Sequence, residues 1–466
     1  MSIRKAALFL VAVPSLLLAQ PGNQWNSIIG SAFTGAQGYR VLQRLTDEAG
    51  GRLVGSQANE KGLDLLTQEL RGLGLEPRRE IYTIPGWVRG DDDVSMLLPT
   101  TRRLRAAALG FTDSHPPLKD TVVFAGLGFP ETYRQINARG KIVLVTSEAP
   151  PHTPPPLRYE AIDIAAAHGA KGILFINDKE GGLILCGVTN FQGKPSPIPA
   201  YSITLEEGRW IQRLIERSVP VIVHITTRSH CAAVQTSNLV VTFPGSLDRT
   251  IVVGAHFDSW DVGQGATDNG TGSAVLFDVA RLLKGFSPVN RYTVEMVWFN
   301  GEELGLWGSK RYAELHPVDS IAAMVNMDME GSPVGFNAMG YDEAIPMLSS
   351  MAKSLGGLDL RESPVSIPGT NSDHEPFMLN GIPTFSIDGR LDAEKVRYYH
   401  DLGDTFDKVN RKYLSEAAAV ATILVKELAN STELKFQRRT RKETVELLKK
   451  HNVDERLKRQ KEWPFD

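Results

Sequence analysis

The sequence predicts an α/β fold in which helices cover both faces of a mostly parallel central sheet and a smaller α/β or β-rich domain is inserted. Three observations lead to this prediction. The length of 466 residues is too great for one ordinary hydrophobic core. From Ser237 onwards, apolar segments of strand length alternate with segments of helical spacing, a pattern typical of parallel sheets. A separate run of strand and helix patterns, which contains a proline-rich loop, precedes this alternation.

The N-terminus predicts an export signal. Arg4 and Lys5 precede an apolar run that ends in the small residue Ala19, which is the layout of a secretory signal peptide. Pro14 disfavours the alternative, a buried N-terminal helix. We therefore expect a signal peptide over residues 1–19 and a secreted or periplasmic mature protein. No other stretch approaches ~20 apolar residues, so no stable membrane span is expected.

Composition excludes some functional classes. The net charge of −3 provides no general attraction to nucleic acid or to an anionic membrane, so we expect neither as a partner. The chain has only two cysteines, Cys186 and Cys231, and a disulfide framework is therefore not what holds the fold. A single bridge between them and two free thiols both remain open.

Residues 24–110 are expected to form the N-terminal part of the main domain. Helical patterns cover residues 36–48 and 59–72, and the turn-rich segment "AGGRLVGSQ" separates them. An extended segment, "RREIYTIPGW", follows the second helical pattern. The first part of the chain thus supplies two helices and one strand to the expected core.

Residues 111–232 are expected to form the inserted domain. The strand pattern "GKIVLVTSE" leads into the loop "APPHTPPPLRYE", and the helix pattern "AIDIAAAHGA" precedes the strand pattern "KGILFIN". A last helix closes the unit in "IPAYSITLEEGRWIQRLIE". These segments resemble those of protease-associated domains. The resemblance implies a domain that covers or shapes a site elsewhere and carries no chemistry itself.

Residues 233–430 are expected to form the main part of the large domain, and residues 431–466 a charged helical extension. Strand patterns end in "VVGAHFD", "EMVWFN" and "AAMVNMDM", and helical patterns lie between them. In open sheets of this type, ligands bind at the carboxyl ends of the strands. The extension is dense in lysine and arginine and is expected to lie on the surface; contact with a partner subunit or a cell surface stays open.

Acidic and imidazole side chains follow the predicted strands. Their separations match no local zinc-knuckle spacing, and no set of cysteines accompanies them, so they predict a site assembled by the fold from nitrogen and oxygen ligands. The candidate residues are His256, Asp268, Glu302, Glu303, Asp328 and His400.

Five motifs resemble, in order, those of the co-catalytic two-zinc exopeptidases, a family that includes secreted bacterial aminopeptidases and plasma glutamate carboxypeptidase. They are "HFDSWDVGQGATDNGTG", "FNGEELGLWGS", "NMDMEG", "SDHEPF" and "YHDLGDT". The first motif is closest to the plasma glutamate carboxypeptidase branch. The fourth motif and the pair Tyr399–His400 are more similar to the aminopeptidases.

The resemblance implies two Zn²⁺ ions and a role for each ligand. His256 and Asp328 would hold one ion, Glu303 and His400 the other, and Asp268 would bridge both. Zinc accepts such nitrogen and oxygen ligands, and two ions about 3.5–4 Å apart need a bridging carboxylate.

Three further residues are expected to support the reaction. Glu302 would be the general base for the attacking water. Asp258 would accept the second ring N–H of His256 and so fix the ligand tautomer. Tyr399 would donate its hydroxyl to the developing oxyanion.

The segment Ser372, Asp373 and His374 has two interpretations. These residues would either orient His400 or line the substrate pocket, or they would begin a helix with Ser372 or Asp373 as its cap.

The expected function is hydrolysis of N-terminal residues from short peptides. Clustered carboxylates suit a free amine, and no basic residue adjoins the "GEE", "NMDMEG" or "TDNG" motifs, although Arg390 and Arg397 are candidates for capture of a carboxylate. Dipeptidase or carboxypeptidase action is the alternative. A non-catalytic binding ectodomain and a glutaminyl cyclase are the more distant ones. A peptide is the expected partner, and a homodimer stays open.

Overall fold

The computed structural model describes residues 21–286 and 290–465 and contains two β-sheets. The signal peptide expected over residues 1–19 lies outside the described residues. Within the described ranges, no helix is long and apolar enough to cross a membrane.

The strands and helices are numbered here in chain order. The strands are β1 (Arg78–Val88), β2 (Asp93–Leu98), β3 (Arg102–Arg103), β4 (Ala106–Ala108), β5 (His115–Phe124), β6 (Ile142–Thr146), β7 (Gly172–Ile176), β8 (Ala200–Ile203), β9 (Ile222–Thr227), β10 (His230–Phe243), β11 (Gly245–His256), β12 (Asn290–Phe299), β13 (Ile321–Asn326), β14 (Ser332–Asn337) and β15 (Thr384–Arg390). The helices are α1 (Pro21–Thr34), α2 (Gly38–Arg44), α3 (Gln57–Gly72), α4 (Pro130–Tyr133), α5 (Arg158–Ala167), α6 (Leu205–Glu216), α7 (Thr271–Gly285), α8 (Trp307–Leu315), α9 (Ile345–Ser354), α10 (Glu375–Leu379), α11 (Ala393–Val396), α12 (Arg411–Asn430), α13 (Arg441–Lys450) and α14 (Val453–Gln460).

The main sheet has seven strands in the order β1-β10-β12-β11-β13-β15-β14. The four strands β12, β11, β13 and β15 are parallel, whereas β1, β10 and β14 pair antiparallel at the two edges. The α/β class is therefore confirmed. The sheet is mixed, and its parallel part is the centre that carries β11.

Helices cover both faces of this sheet. Successive side chains of a strand point to opposite faces, so apolar residues of one strand pack against helices on each side. Ile251 and Val253 of β11 belong to one apolar cluster with residues of α1, α3, α7 and α12. Val252 lies between them on the other face, where it packs with Tyr312 of α8 and Phe377 of α10. The core thus fixes the strand ends from both sides.

The second sheet has eight strands in the order β3-β2-β9-β5-β6-β7-β8-β4, with β5 to β8 parallel. Strands β2 and β4 pair with β9 and β8, so residues 93–108 belong to this sheet and not to the N-terminal part of the main domain, where we expected them. Strand β10 crosses the expected boundary at residue 232 and pairs with β1 of the main sheet. Hydrogen bonds between strands, which no local pattern specifies, decide both assignments.

The two cysteines are free thiols in the described structure; Cys186 is buried and Cys231 half-buried.

Candidate metal centre

The candidate ligands meet at the carboxyl edge of the parallel strands. His256 is the last residue of β11, and Glu303 and Asp328 follow β12 and β13, which flank β11 on either side. Asp268 lies in the glycine-rich loop before α7, and His400 lies in the loop that follows α11. Neighbouring parallel strands end at the same edge, and the topology therefore brings distant residues together.

Asp268 lies between two imidazoles and presents one carboxylate oxygen to each. Its Oδ1 is 3.2 Å from Nε2 of His256, and its Oδ2 is 3.0 Å from Nε2 of His400. All three side chains are buried or nearly so. This is the arrangement that a carboxylate bridging two metal ions requires.

Each imidazole faces a second carboxylate. Asp328 Oδ1 is 3.3 Å from His256 Nε2, and Glu303 Oε2 is 3.1 Å from His400 Nε2. The result is two groups of three ligands that share Asp268, with the ligand atoms of each group within 4.8 Å of one another. Glu303 Oε1 and Asp328 Oδ1 are buried and have no hydrogen-bond partner among the described residues. The donor set therefore fits zinc.

The ring nitrogens that point away from this centre are held by backbone carbonyls. His256 Nδ1 is 3.0 Å from the carbonyl oxygen of Asp258, and His400 Nδ1 is 3.1 Å from that of Cys186. A carbonyl oxygen only accepts, so Nδ1 carries the hydrogen in both rings. When a ring is neutral, its Nε2 is then the free ligand atom, and it is directed at the carboxylates.

The clustered carboxylates raise the pKa of both histidines. Burial alone would lower the pKa of His256, but Asp328 and Glu302 outweigh it and hold the pKa well above its ordinary value. Burial is likewise outweighed at His400, where Glu303 and Asp268 raise the pKa to about 10. Without a metal, the positive charge at this centre is thus supplied by protons on the two rings.

Glu302 differs from its neighbour Glu303. Its side chain is half-buried and forms no hydrogen bond within the described part of the chain, whereas Glu303 is buried against His400. Burial raises the pKa of Glu302 well above its ordinary value, and the carboxylates of Glu303 and Asp328 add to the effect. A free carboxyl with an elevated pKa beside a metal centre has the properties of a general acid–base group.

Asp258 does not have the contact that the sequence predicted. Its carboxylate Oδ1 is 3.8 Å from His256 Nδ1, and the carbonyl of the same residue takes that hydrogen bond instead. The carboxylate accepts the backbone N–H groups of Gly301, Glu302 and Glu303 at 2.8, 3.1 and 3.2 Å. Three amide donors satisfy it, and Asp258 therefore fixes the turn that carries the two glutamates.

Tyr399 lies against the centre through its ring. The ring stacks on that of His400 with centroids 3.7 Å apart. Burial raises the pKa of the Tyr399 hydroxyl well above its ordinary value, and the carboxylates of Asp268 and Glu303 contribute. The hydroxyl is therefore a protonated donor next to the ligands, as an oxyanion contact requires.

Ser372 supports Asp328, which neither interpretation of the "SDHEPF" segment anticipated. The Ser372 hydroxyl donates to Asp328 Oδ2 at 2.6 Å and accepts from Asn326 Nδ2 at 2.8 Å. Helix α10 begins only at Glu375, and no side chain caps it. Burial lowers the pKa of His374 to about 4, so this ring is neutral.

Sequence reasoning missed Asp404 and Arg52, which hold the glycine-rich loop. Asp404 accepts the backbone N–H groups of Thr267 and Asp268 at 2.7 and 3.1 Å. Arg52 is fully buried and donates to the carbonyls of Phe257 and Gly265 at 3.0 and 2.8 Å, among others. Asp404 could have been suspected from its place in "YHDLGDT", whereas a lone arginine in a turn has no such signal.

The second sheet's domain also reaches the centre. Cys186 N donates to the carbonyl of His400 at 3.0 Å, and Ile184 N donates to Asp401 Oδ2 at 2.8 Å. Together with the bond from His400 Nδ1, these contacts hold the His400 loop on a segment of the other domain. The position of one candidate ligand therefore depends on both domains.

Arg158 is a third residue that the sequence did not reveal. Its Nη1 lies against Gly187, where a Cβ would be only 1.8 Å away. Burial lowers the pKa of the guanidinium, and the nearby side chains of Cys186 and Tyr399 oppose the effect. Among the described residues Arg158 has no hydrogen-bond or ion-pair partner. A cation without a counter-ion among the described residues thus lies against Gly187, the residue after Cys186, whose carbonyl holds His400.

Comparison with known proteins gives matches for both domains. Residues 238–425 match the pattern of Peptidase family M28, and residues 117–211 match that of the PA domain. Human carboxypeptidase Q is 27% identical over 440 residues, which cover 90% of this chain and 91% of that protein. Aminopeptidase YwaD of Bacillus subtilis is 27% identical over 414 residues, which cover 85% of each chain.

Solved structures show the same fold. A peptidase M28 precursor from Shewanella amazonensis superposes with a TM-score of 0.77 at 23% identity, covering 90% of this chain and 98% of that one. A zinc aminopeptidase from Bacillus subtilis gives a TM-score of 0.68 at 23% identity, covering 86% and 96%.

Proposed function

This chain belongs to peptidase family M28 and is a metallo-exopeptidase with an inserted PA domain, and from that premise we propose that it holds two zinc ions and removes N-terminal residues from short peptides. The observation that carries the proposal is the position of Asp268, with one oxygen at each of two imidazoles. A single-metal site would have no need of a carboxylate shared in this way.

The ligand roles follow from the two groups of three. We propose that His256 and Asp328 hold one zinc, that Glu303 and His400 hold the other, and that Asp268 contributes to both. Bound zinc would supply a lowered pKa for the attacking water and polarisation of the scissile carbonyl.

Glu302 is proposed as the general base. Its carboxylate takes a proton from the attacking water and returns it to the nitrogen of the leaving amine. Asp258 holds the backbone of Glu302 through the turn, which keeps the carboxylate in place during both transfers. Tyr399 would donate its hydroxyl to the oxyanion that develops on the scissile carbonyl.

The acidic surroundings support recognition of a free α-amine. Glu330 follows the ligand Asp328 by two residues, is buried, and has an oxygen, Oε2, without a hydrogen-bond partner among the described residues. A substrate ammonium beside Glu330, Glu302 and Asp328 would be favoured electrostatically. Cleavage next to this terminus releases the N-terminal residue.

Arg158 favours a second candidate function, dipeptidase or carboxypeptidase action. The sequence argument against carboxylate capture was that no basic residue adjoins the motifs. Arg158 of the inserted domain lies against Gly187, next to the segment that holds His400, and has no ion-pair partner among the described residues. A guanidinium in that state suits a substrate carboxylate. On a dipeptide, the amine and the carboxylate could both be recognised.

A peptide panel tests the proposal. The zinc-loaded protein is given the same dipeptide and tripeptide in free, N-acetylated and C-amidated forms, and products are identified by mass spectrometry. N-acetylation should abolish hydrolysis by the proposed aminopeptidase. If C-amidation abolished hydrolysis and N-acetylation did not, the aminopeptidase proposal would be wrong and the carboxypeptidase function would take its place.

Variants of Arg158 separate the two candidates further. If Arg158 binds the substrate carboxylate, Arg158→Met should raise KM for the free dipeptide about 10-fold or more and leave the C-amidated form unchanged. Arg217→Met, which removes an exposed arginine at the end of α6, is the matched control.

The zinc count and the export of the chain are further parts of the proposal. Elemental analysis of zinc-supplied protein should give two ions per chain, and a chelator should abolish activity. We also propose that residues 1–19 direct export and are then removed. When the full chain is expressed in a bacterium, N-terminal sequencing of the protein recovered from the periplasm or the medium should give a first residue shortly after Ala19. An intact N-terminus on that material would contradict the export proposal.

A further inference from the structure

Helices α13 and α14 of the C-terminal extension, residues 431–466 of the chain, are anchored on the main domain by a small apolar core. Val453 and Leu457 of α14 pack with Leu448 of α13 and with Met378 of α10. Leu448 and Leu457 have no exposed surface. The two helices therefore form a fixed part of the main domain, although both are rich in charged residues.

Charged side chains at the end of α14 reach from this anchor to the inserted domain. Arg459 forms a two-pronged contact with Glu160, from Nε to Oε1 at 2.8 Å and from Nη2 to Oε2 at 2.6 Å. Lys461 Nζ is 3.0 Å from Asp163 Oδ2. Both carboxylates belong to α5, the helix that begins with Arg158.

Glu462 contacts both domains with one carboxylate. Its Oε1 accepts from Gln192 Nε2 of the inserted domain at 2.7 Å, and its Oε2 is 2.6 Å from Lys310 Nζ of α8. The same Gln192 amide donates to the carbonyl of Gln460 at 2.9 Å. The extension thus forms polar contacts with residues on both sides of the interface between the two domains.

The extension also contacts the loop that supports a candidate ligand. Gln460 is buried, with 5% of its surface exposed, and its Nε2 donates to Asn371 Oδ1 at 2.8 Å. Asn371 precedes Ser372, whose hydroxyl holds Asp328.

Arg459 acts on the start of α5 through one shared carboxylate. Glu160 Oε2 accepts the backbone N–H of Leu157 at 2.7 Å, the residue before Arg158, and the same oxygen accepts from Arg459. The contact with the extension and the backbone position of Arg158 are therefore linked by a single side chain.

We propose that the C-terminal extension is a clasp that holds the inserted domain on the main domain, and that it positions Arg158 against Gly187 and the Asn371–Ser372 loop against Asp328. Arg459, Gln460 and Lys461 are its positioning residues. The consequence for substrate binding rests on the proposed function, whereas the mechanical link between the domains does not.

Two double variants test the clasp. Arg459→Glu with Lys461→Glu places negative charges against Glu160 and Asp163. Lys449→Glu with Lys450→Glu makes the same charge change on exposed residues of α13 that have no ion pair among the described residues. Exposed ion pairs are individually weak, which is why charge reversal is chosen over truncation of one side chain. A wild-type zinc content verifies that each variant is folded.

The first readout is hydrogen exchange of backbone amides in the holoprotein. In the Arg459/Lys461 variant, amides of α5 and of residues 371–374 should exchange about 5-fold faster or more, because the interface between the two domains opens locally. The Lys449/Lys450 variant should exchange like the wild type. Adding Asp163→Lys to the first variant restores an opposite charge at that pair and should recover part of the protection.

The second readout is the split between KM and kcat. With a free dipeptide, the Arg459/Lys461 variant should raise KM about 5-fold or more with kcat within about twofold of the wild type, because binding geometry is lost and the metal centre is not. Exchange equal to that of the control variant overturns the clasp, whatever KM does. Faster exchange with unchanged KM overturns its positioning role. If the wild type cleaves no peptide, the proposed function fails, and the exchange data alone decide the clasp.

Discussion

Glu302 and Glu303 are neighbours in the chain, and the fold gives them different surroundings. Glu303 is buried against His400, and Glu302 is half-buried without a hydrogen bond in the described structure. Their backbone N–H groups are both held by Asp258, so a substitution in one side chain should leave the other in place. The pair therefore allows the proposed metal ligand, Glu303, and the proposed base, Glu302, to be separated experimentally.

Substitution of Glu302 should abolish proton transfer and spare metal binding. Glu302→Gln keeps the shape of the side chain and cannot accept the proton of water, so kcat should fall by roughly 10²–10⁴-fold with zinc content unchanged. Glu303→Gln, the matched variant, should instead lower the zinc content measured by elemental analysis. Loss of zinc in both variants would show that the two roles are not divided in this way.

Ser372 should tune one metal position. Ser372→Ala removes the hydroxyl that donates to Asp328, and loss of such a supporting bond typically lowers metal affinity about 10–100-fold. Competition with a chromogenic chelator should show this loss for one of two zinc ions. Ser350→Ala on the exposed side of α9 is the control, and equal affinities of the two variants would speak against the support role.

The loop between β11 and α7 is the element on which the centre depends. Arg52 donates to the carbonyls of Phe257 and Gly265 in this loop, and Asp404 accepts the backbone N–H of Asp268 closer to α7. The loop contains three glycines, and its large buried apolar side chains, Phe257 and Trp260, lie in its first half. Buried hydrogen bonds from other parts of the chain therefore define its conformation.

Removal of Arg52 should destabilise the protein and weaken metal binding together. Arg52→Met leaves several buried carbonyls without a donor, at a cost of about 2–5 kcal/mol in the free energy of unfolding. Denaturant unfolding of the metal-free protein measures this loss, with Arg217→Met as the control on an exposed arginine. An unfolding free energy within about 0.5 kcal/mol of the wild type would contradict the role given to Arg52.

The charged side chains of the candidate metal centre lie near the interface between the two domains. His400 belongs to the main domain and is held by the carbonyl of Cys186 in the inserted domain, while its other nitrogen faces Asp268 and Glu303. In the metal-free protein these carboxylates raise the pKa of His400 to about 10. Protons and zinc therefore compete for the same nitrogen.

Zinc binding should release protons and strengthen with pH. The raised pKa means that the metal-free protein gains stability from the protonated ring below about pH 6.5 and loses it as the pH rises through about 10. Zinc needs the unprotonated ring, so its affinity should increase over the same window. Calorimetric titration in two buffers of different ionisation enthalpy counts the protons, and a count of zero at pH 7.5 would contradict the competition.

The sequence was sufficient to predict those parts of the fold and the site that depend on local motifs or on periodic hydrophobic patterns. Strand patterns ending in His256, Glu302 and Asp328 predicted the α/β class and a site at one sheet edge, because parallel strands end together. The five motifs predicted the enzyme family. The mixed pairing of the edge strands follows from no local or periodic pattern, since β1 and β10 are separated by more than a hundred residues.

The amino-acid sequence by itself thus determined the class of fold and the kind of residues that could meet at its catalytic edge. Only the tertiary structure decided that the carbonyl of Asp258 holds His256, that Ser372 donates to Asp328, and that Arg158 lies against Gly187. The tertiary structure also decided that the charged C-terminal extension lies across the interface between the two domains. The physical reason is that these contacts join residues with no common period, and their partners are chosen by packing and by the need to satisfy buried polar groups.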